Sequence, residues 1–493
     1  MSVTRSQNYI ETTLEPTYNF TRNHFYNHIM EINLAHVLML KKQSILPKDE
    51  AETILKATYE LYKEGYSKNY NASFEDLFFM VEADLAEEIG PDLVGNMHIA
   101  FSRNDMDTTM FRMFWREKLA KWIEKINDLR VTILELVAEH KATVMPAHTH
   151  NQQAQPTTLA HYLMAVENNL RRDVQRGIAL YERMNHSPMG AAALATTGFP
   201  IDRQFMSDRL GFERPMSNSY DAISASDFML ELSSVLTISL STISRFVFDL
   251  IFMTTNEVNT LRLHEKHVQT SSIMPQKRNP SALEHTRASI SKALGKLQGA
   301  TIIAHNVPLG DIVDIGDDIQ PSLLSGYNDT NDILIMLSEI LQECSFNKET
   351  LYENAQSGFS TVTELADVLV RKHHVSFRKA HAIVSDLVNE LVSNTQGITD
   401  GNAEQVRIIA REKFNLLLSL TDEEYKQATD ALDFVNIRNI LGGPSPSEVE
   451  RQRIEAWEVL QDNQNWVTVT LHNLNNYSSK LEKEVELCVN NKN

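Results

Sequence analysis

The chain has 493 residues, 42% of them hydrophobic and 23% charged, which is ordinary for a soluble globular protein and long enough for about three domains. A formal charge of −19 disfavours nucleic acid or an anionic membrane as the main partner, while a local basic pocket still suits a small acidic ligand. With only Cys344 and Cys488, no apolar leader, and an apolar stretch Phe228 to Met253 interrupted by Glu231, Arg245 and Asp249, the expectation is a cytoplasmic protein without disulfides or a membrane span.

From Asn23 to Lys63 apolar residues recur at three and four (Ile29, Ile32, Ala35, Met39, then Ile54, Ala57, Leu61), which predicts helices broken at Leu46-Pro47. Phe74 to Ile89 is a further helix, and residues 1–100 are expected to form an N-terminal helical domain. Next, Ser102, Arg103, Asn104 and Asp105 stand together at an element boundary. They suit either a helix N-cap or a carboxylate cradle of guanidinium and directed donors, and one arrangement serves both. Trp115 to His140 is periodic and stops before Met145-Pro146; Pro156 is expected to open a second long helix. The polar corner between them holds His148, Thr149, His150 and Gln152, which suit acid, base or donor roles at a bundle end or an ordinary surface turn. No cysteine or acid stands at metal spacing, so zinc is rejected there.

Ser187 to Arg203, SPMGAAALATTGFPIDR, is rich in small residues that permit close backbone approach, and no Gly-Lys-Ser/Thr follows to make it a phosphate loop. The longest helix is expected from about Ala222 to Thr255, and the absence of charge between Leu232 and Ser244 calls for cover on most sides, most simply by other subunits. Thr270 to Pro280, TSSIMPQKRNP, has no strand pattern; its hydroxyls, lysine, arginine and amide suit an anion, or a solvated polar loop. Ser281 to Ala304 and Asn328 to Leu341 resume the helices, giving a central bundle domain over 101–348. Between them, Asp311, Asp314, Asp317 and Asp318 lack calcium-loop spacing. Shorter helices over 349–493 form a third domain, and the Asn-rich end from Asn473 is expected to fray.

Seven of these segments, in order, resemble the fumarase/aspartase superfamily, most nearly argininosuccinate lyases: SRND at 102–105, THNQQAQP at 149–156, SPMGAAALATTGFPIDR, NSYDAISASDF at 218–228, SSIMPQKRNP at 271–280, ELADVLVRKHHVSFRKAH at 364–381 and LGGPSP at 441–446. The resemblance implies an all-α, three-domain subunit in a homotetramer with a central twenty-helix bundle. It further implies active sites drawn from three subunits, no metal or organic cofactor, and reversible elimination of an amine from an N-substituted aspartate to give fumarate. By the same resemblance Ser271 is the general base, Lys277 and Asn279 hold the carboxylate on which charge develops, and Ser272 and Met274 complete that loop. His150 is the acid or proton relay, Glu284 orients it, and Ser102, Arg103, Asn104, Thr149 and Gln152 hold the succinyl part.

The sequence departs from argininosuccinate lyases where they bind arginine. Their tyrosine, glutamine and lysine are Asp311, Gly316 and Ile319 here, and their lead into SRND has become His98-Ile99-Ala100-Phe101, with Phe101 expected to narrow the pocket. The expectation is a relative that joins fumarate to another amine or amino acid, met by Asp311, as in enzymes acting on ethylenediamine-disuccinate. Argininosuccinate lyase itself, a non-catalytic structural homologue and a helical scaffold are the alternatives.

Overall fold

Residues 5–490 are described by a computed structural model, and among them helices dominate, with short strand pairs and no closed sheet. The N-terminal part holds α1 (Tyr26–Lys42), α2 (Lys48–Glu64) and α3 (Leu77–Ile89). Pro47 starts α2 as expected of a residue whose missing N–H costs nothing at a helix entry. The bundle consists of α4 (Arg103–Glu139), α5 (Leu159–Met184), α6 (Asp227–Met253), α7 (Ser281–Ile303) and α8 (Ile319–Glu343). A second group follows: α9 (Val362–Arg371), α10 (Phe377–Ser393), α11 (Ala403–Phe414) and α12 (Asp422–Thr429), with a core of its own between Leu365 and Ala428. The chain then returns to the bundle in α13 (Pro446–Asn490), 45 residues long.

Side-chain bonds fix the direction of each bundle helix. Trp115 Nε1 donates to Gln320 Oε1 at 2.8 Å and Gln342 Nε2 to Thr132 Oγ1 at 3.1 Å, so α8 runs parallel to α4. Arg130 meets Glu167, and Arg112 reaches the carbonyl of Met184, so α5 runs antiparallel. Arg183 pairs with Glu231 and Tyr162 Oη donates to Asp249 at 2.6 Å, so α6 runs antiparallel to α5 and along α4, while Ser233 Oγ, near the start of α6, donates to the carbonyl of Leu297, near the end of α7. Trp115 and Trp122, both fully buried, stand at the middle of the packing.

Four expectations need correction. The polar corner is a β-hairpin, β1 (Val144–Thr149) and β2 (Gln152–Thr158), and the following helix begins at Leu159, because Pro156 pairs opposite Pro146 in the ladder. The loop at 270–280 is closed by two short strands, β3 (Gln269–Thr270) and β4 (Arg278–Asn279). The expected 34-residue helix is divided into Ser219–Ser224 and α6, with Ala225 extended at ψ 110 between them. Asp227 stands in the first turn after this break, its Oδ1 accepting the N–H of Phe228 at 3.0 Å, and α6 is 27 residues long. Finally, the Asn-rich end expected to fray is helical through Asn490, the last described residue, and Leu474, Leu481 and Val485 are buried against the bundle core. Tyr477 and Ser478 donate to the buried carboxylate of Glu31 at 3.1 and 2.6 Å.

The helix α6 is long and apolar enough to cross a membrane by length and composition. Phe228, Leu232, Leu236, Leu240, Ile243, Val247 and Leu250 on one face are core. Its opposite face, Ser234, Ile238, Ser241, Arg245, Phe248 and Phe252, is exposed at alternating steps of four and three, the spacing of a coiled-coil seam. Ile238, Phe248 and Phe252 are 43, 55 and 46% exposed.

Candidate active site

The expected site residues fall at two ends of the bundle. α4 has 37 residues, so at 1.5 Å rise per residue its ends stand about 55 Å apart. Ser102, Arg103, Asn104 and Asp311 are at its N-terminal end. The hairpin with Thr149, His150 and Gln152, the loop with Ser271, Ser272, Met274, Lys277 and Asn279, and Glu284 at the start of α7 are at the other. No one chain can bring all of them round one small molecule.

At the first end, Ser102 caps α4: its Oγ accepts the N–H of Asn104 at 3.3 Å, and its own N–H donates to Asp105 Oδ1 at 3.0 Å, a capping box. Arg103 is not a free carboxylate fork. Its Nη2 stands 2.7 Å from Asp76 and 3.8 Å from Asp107, and its guanidinium lies 5.6 Å from the ring centres of Phe78 and Phe79. Burial disfavours its charge, but Asp107, Asp76, Glu75 and Asp317 together raise its pKa. The carboxyls respond in the same direction. Burial pushes Asp107 up to about 8, Arg103 opposes, and Asp317, Asp76 and Asp311 add to the rise. Asp317 is raised in the same direction, by the crowding around it and by the carboxylates of Asp76, Asp318 and Asp311, although its side chain is exposed in the single chain. Asp76 and Asp107 therefore contact Arg103, Glu75 and Asp317 act on it from further off, and Asp311 adds to the charge on Asp107 and Asp317; of these only Asp311 is a site residue expected from the sequence. The four-residue step from Arg103 to Asp107 was the available signal for a second.

Phe101 faces inward, its ring 5.1 Å from those of both His36 and His98, and so backs the corner instead of narrowing a pocket. Ile319, at the position of the lyases' lysine, is fully buried.

At the second end, Thr149 pairs with Gln152, leaving His150 and Asn151 as a two-residue turn with φ of 53° and 58°, the type I′ geometry that fits hairpin twist. The turn lifts the His150 ring into the open. Ser271 opens the loop closed by β3 and β4; its Oγ accepts the N–H groups of Met274 at 3.2 Å and Ile273 at 3.4 Å. The pairing of Thr270 with Arg278 sets Ser271 and Lys277 on either side of the loop mouth. Arg278 is anchored away from it, donating to the carbonyl of Leu263 at 2.9 Å. Glu284 is exposed in the first turn of α7, and among the described residues no hydrogen bond joins it to His150 within the chain.

Residues 2–295 match the family model described as lyase, and residues 359–441 match that of the argininosuccinate lyase C-terminal region. The chain belongs to the fumarase/aspartase superfamily, in its argininosuccinate-lyase-like branch. The argininosuccinate lyase of Methanocaldococcus jannaschii is 36% identical over 433 residues, 86% of this chain and 88% of that protein. Argininosuccinate lyase 1 of Shouchella clausii is 35% identical over 91% of this chain and 90% of its own length. Among solved structures, EDDS lyase in complex with formate superposes with a TM-score of 0.87 at 29% identity, covering 99% of this chain and 96% of that one. Membership of this branch makes the chain a carbon–nitrogen lyase that releases fumarate from an N-substituted aspartate.

Proposed function

We propose that this lyase joins fumarate to, and releases it from, a cationic amine or amino acid other than arginine. The cluster of Asp76, Asp107, Asp311 and Asp317 beside Arg103, in which Asp76 and Asp107 contact the guanidinium, supports this reading. With Asp107 pushed up to about 8 and so mostly protonated near neutral pH, three carboxylates face one guanidinium and the cluster keeps a negative excess. Such a cluster attracts a cation, and arginine is disfavoured because the positions at which argininosuccinate lyases bind it are Asp311, Gly316 and Ile319 here. In the elimination Ser271 takes the proton from the carbon next to the carboxylate, and that carboxylate becomes a doubly charged aci-carboxylate held by Lys277 and Asn279. The carbon–nitrogen bond then breaks, and His150, oriented by Glu284, returns a proton to the leaving amine. Ser102, Asn104 and Thr149 hold the succinyl part with Gln152, Ser272 and Met274, while Arg103 balances the carboxylates beside it.

The assay is fumarate consumption, followed by absorbance, with ethylenediamine, longer diamines, aspartate and arginine, and argininosuccinate cleavage run alongside. A diamine or amino acid should react and argininosuccinate poorly; efficient argininosuccinate cleavage sinks the substrate reading. The pH dependence has a sign. With burial pushing Asp107 up to about 8, raising pH from about 7 to about 9 takes it from mostly neutral to mostly charged, and the amine's KM should fall over that range. A KM that rises instead rejects the cluster as the amine subsite.

The exposed seam of α6, with the separation of the two half-sites, supports a homotetramer in which helices of four chains share a bundle and each site draws on three subunits. The domains 1–100, 101–348 and 349–493, the last returning α13 to the bundle core, and a cytoplasmic location belong to the same proposal. Ser271→Ala and Arg103→Gln chains, each inactive alone, should recover activity when co-assembled. With each half-site drawn at random from either variant, up to about a quarter of sites are intact. Mixed tetramers without recovery would reject the shared site.

A further inference from the structure

The small-residue segment Ser187–Arg203 has no part in the chemistry above, yet two charged side chains hold it rigidly. Arg203 donates to three backbone carbonyls, those of Met189 and Met216 at 2.9 Å and of Pro188 at 3.3 Å. Asp105, fully buried, accepts on Oδ2 from the N–H groups of Gly190 and Ala192, both at 2.9 Å, and on Oδ1 from Ser102. Gly190 at φ +85° is packed so closely that a Cβ there would stand 2.7 Å from Arg203 Cγ. Ala192, Leu194 and Thr196 also lie in the left-handed region, at 49°, 82° and 60°. Such a backbone persists only where its surroundings over-determine it.

We propose that Asp105 is a positioning residue of the lyase site, registering Ser102, Arg103 and Asn104 against the Gly190–Ala192 loop so that the succinyl part meets preorganised donors. The inference rests on the proposed roles of Ser102 and Asn104. A carboxylate is an acceptor on both oxygens, and all three groups facing it are donors. An amide of the same shape has one acceptor oxygen, so it must turn an NH2 either on Ser102 or on the loop. Releasing the Ser102 N–H frees the residue whose Oγ caps Asn104, and the corner loses its fixed geometry.

Calorimetric titration of the full-length assembly with fumarate tests this. Asp105→Asn should weaken fumarate binding about tenfold or more, raising KM for fumarate while kcat at saturating fumarate falls less. Binding by the variant at wild-type strength, or an equal fall in kcat with KM unchanged, overturns the positioning role. Absence of fumarate binding by the wild-type protein instead rejects the roles given to Ser102 and Asn104. Should Asp105→Asn fail to fold, amide exchange on the wild-type protein decides. The Gly190 and Ala192 amides are expected to exchange more slowly when fumarate is added, and unchanged rates overturn the coupling.

Discussion

Ser271→Ala is expected to lower turnover by about 10³-fold or more while fumarate binding changes only a few-fold. A serine hydroxyl is a poor base in water, because its alkoxide is far too costly at neutral pH. Its surroundings here lower that cost. The N–H groups of Met274 and Ile273 already donate to its Oγ, and Lys277 stands across the loop mouth. Both favour negative charge on oxygen, and in the proposed shared site, where a neighbouring subunit would cover the loop and exclude water, both would strengthen. Ile273, 82% exposed in the single chain, is the surface such a cover would close over. Alanine deletes the proton acceptor and leaves the loop bonds between β3 and β4 in place, so binding should survive. Pre-steady-state mixing of substrate with each enzyme, followed by fumarate absorbance, separates binding from chemistry. Turnover at the wild-type rate would remove Ser271 from the role of base.

Much of this arrangement was legible because helix periodicity and local motifs survive in one dimension. The bundle helices and the break at Leu46-Pro47 follow from apolar spacing and from a proline that cannot donate. What escaped depends on partners distant in sequence. The hairpin of Val144–Thr158 sets two prolines opposite each other, neither able to donate to the ladder, and turns at His150-Asn151, and neither feature reads as strand-like alternation. The Asn-rich end reads as frayed until Glu31, more than 440 positions earlier, is seen to receive Tyr477 and Ser478. In the site, SRND announced an anion cradle by residue type, but Asp76, which neutralises Arg103, caps another helix 27 residues before it. Residue chemistry was readable; the sign of the local charge required the fold.

Glu167→Leu should carry the largest stability cost, about 3–5 kcal/mol. Arg130 and Glu167 are both fully buried where α4 crosses α5. Glu167 Oε1 accepts from Arg130 Nε at 3.0 Å and from Nη2 at 2.8 Å, while Nη1 donates to Asn127 Oδ1 at 3.1 Å. Burial lowers the pKa of Arg130, and Glu167 opposes that fall. Without the glutamate an uncompensated guanidinium stays in the core; with both replaced, the double variant Arg130→Met/Glu167→Leu should regain most of the loss, because neither charge then pays desolvation. In a large, many-chained protein this is read as a shift in the thermal midpoint at fixed protein concentration and not as a two-state free energy. A Glu167→Leu midpoint equal to that of the wild type would show that the pair contributes nothing net. The pair also fixes register: α4 begins at Ser102 and α5 leaves the hairpin of His150, so a slip between them displaces both half-sites at once. Residual activity in the double variant should therefore lie below what its recovered stability alone supports. A fully active double variant would assign that register to the surrounding apolar packing.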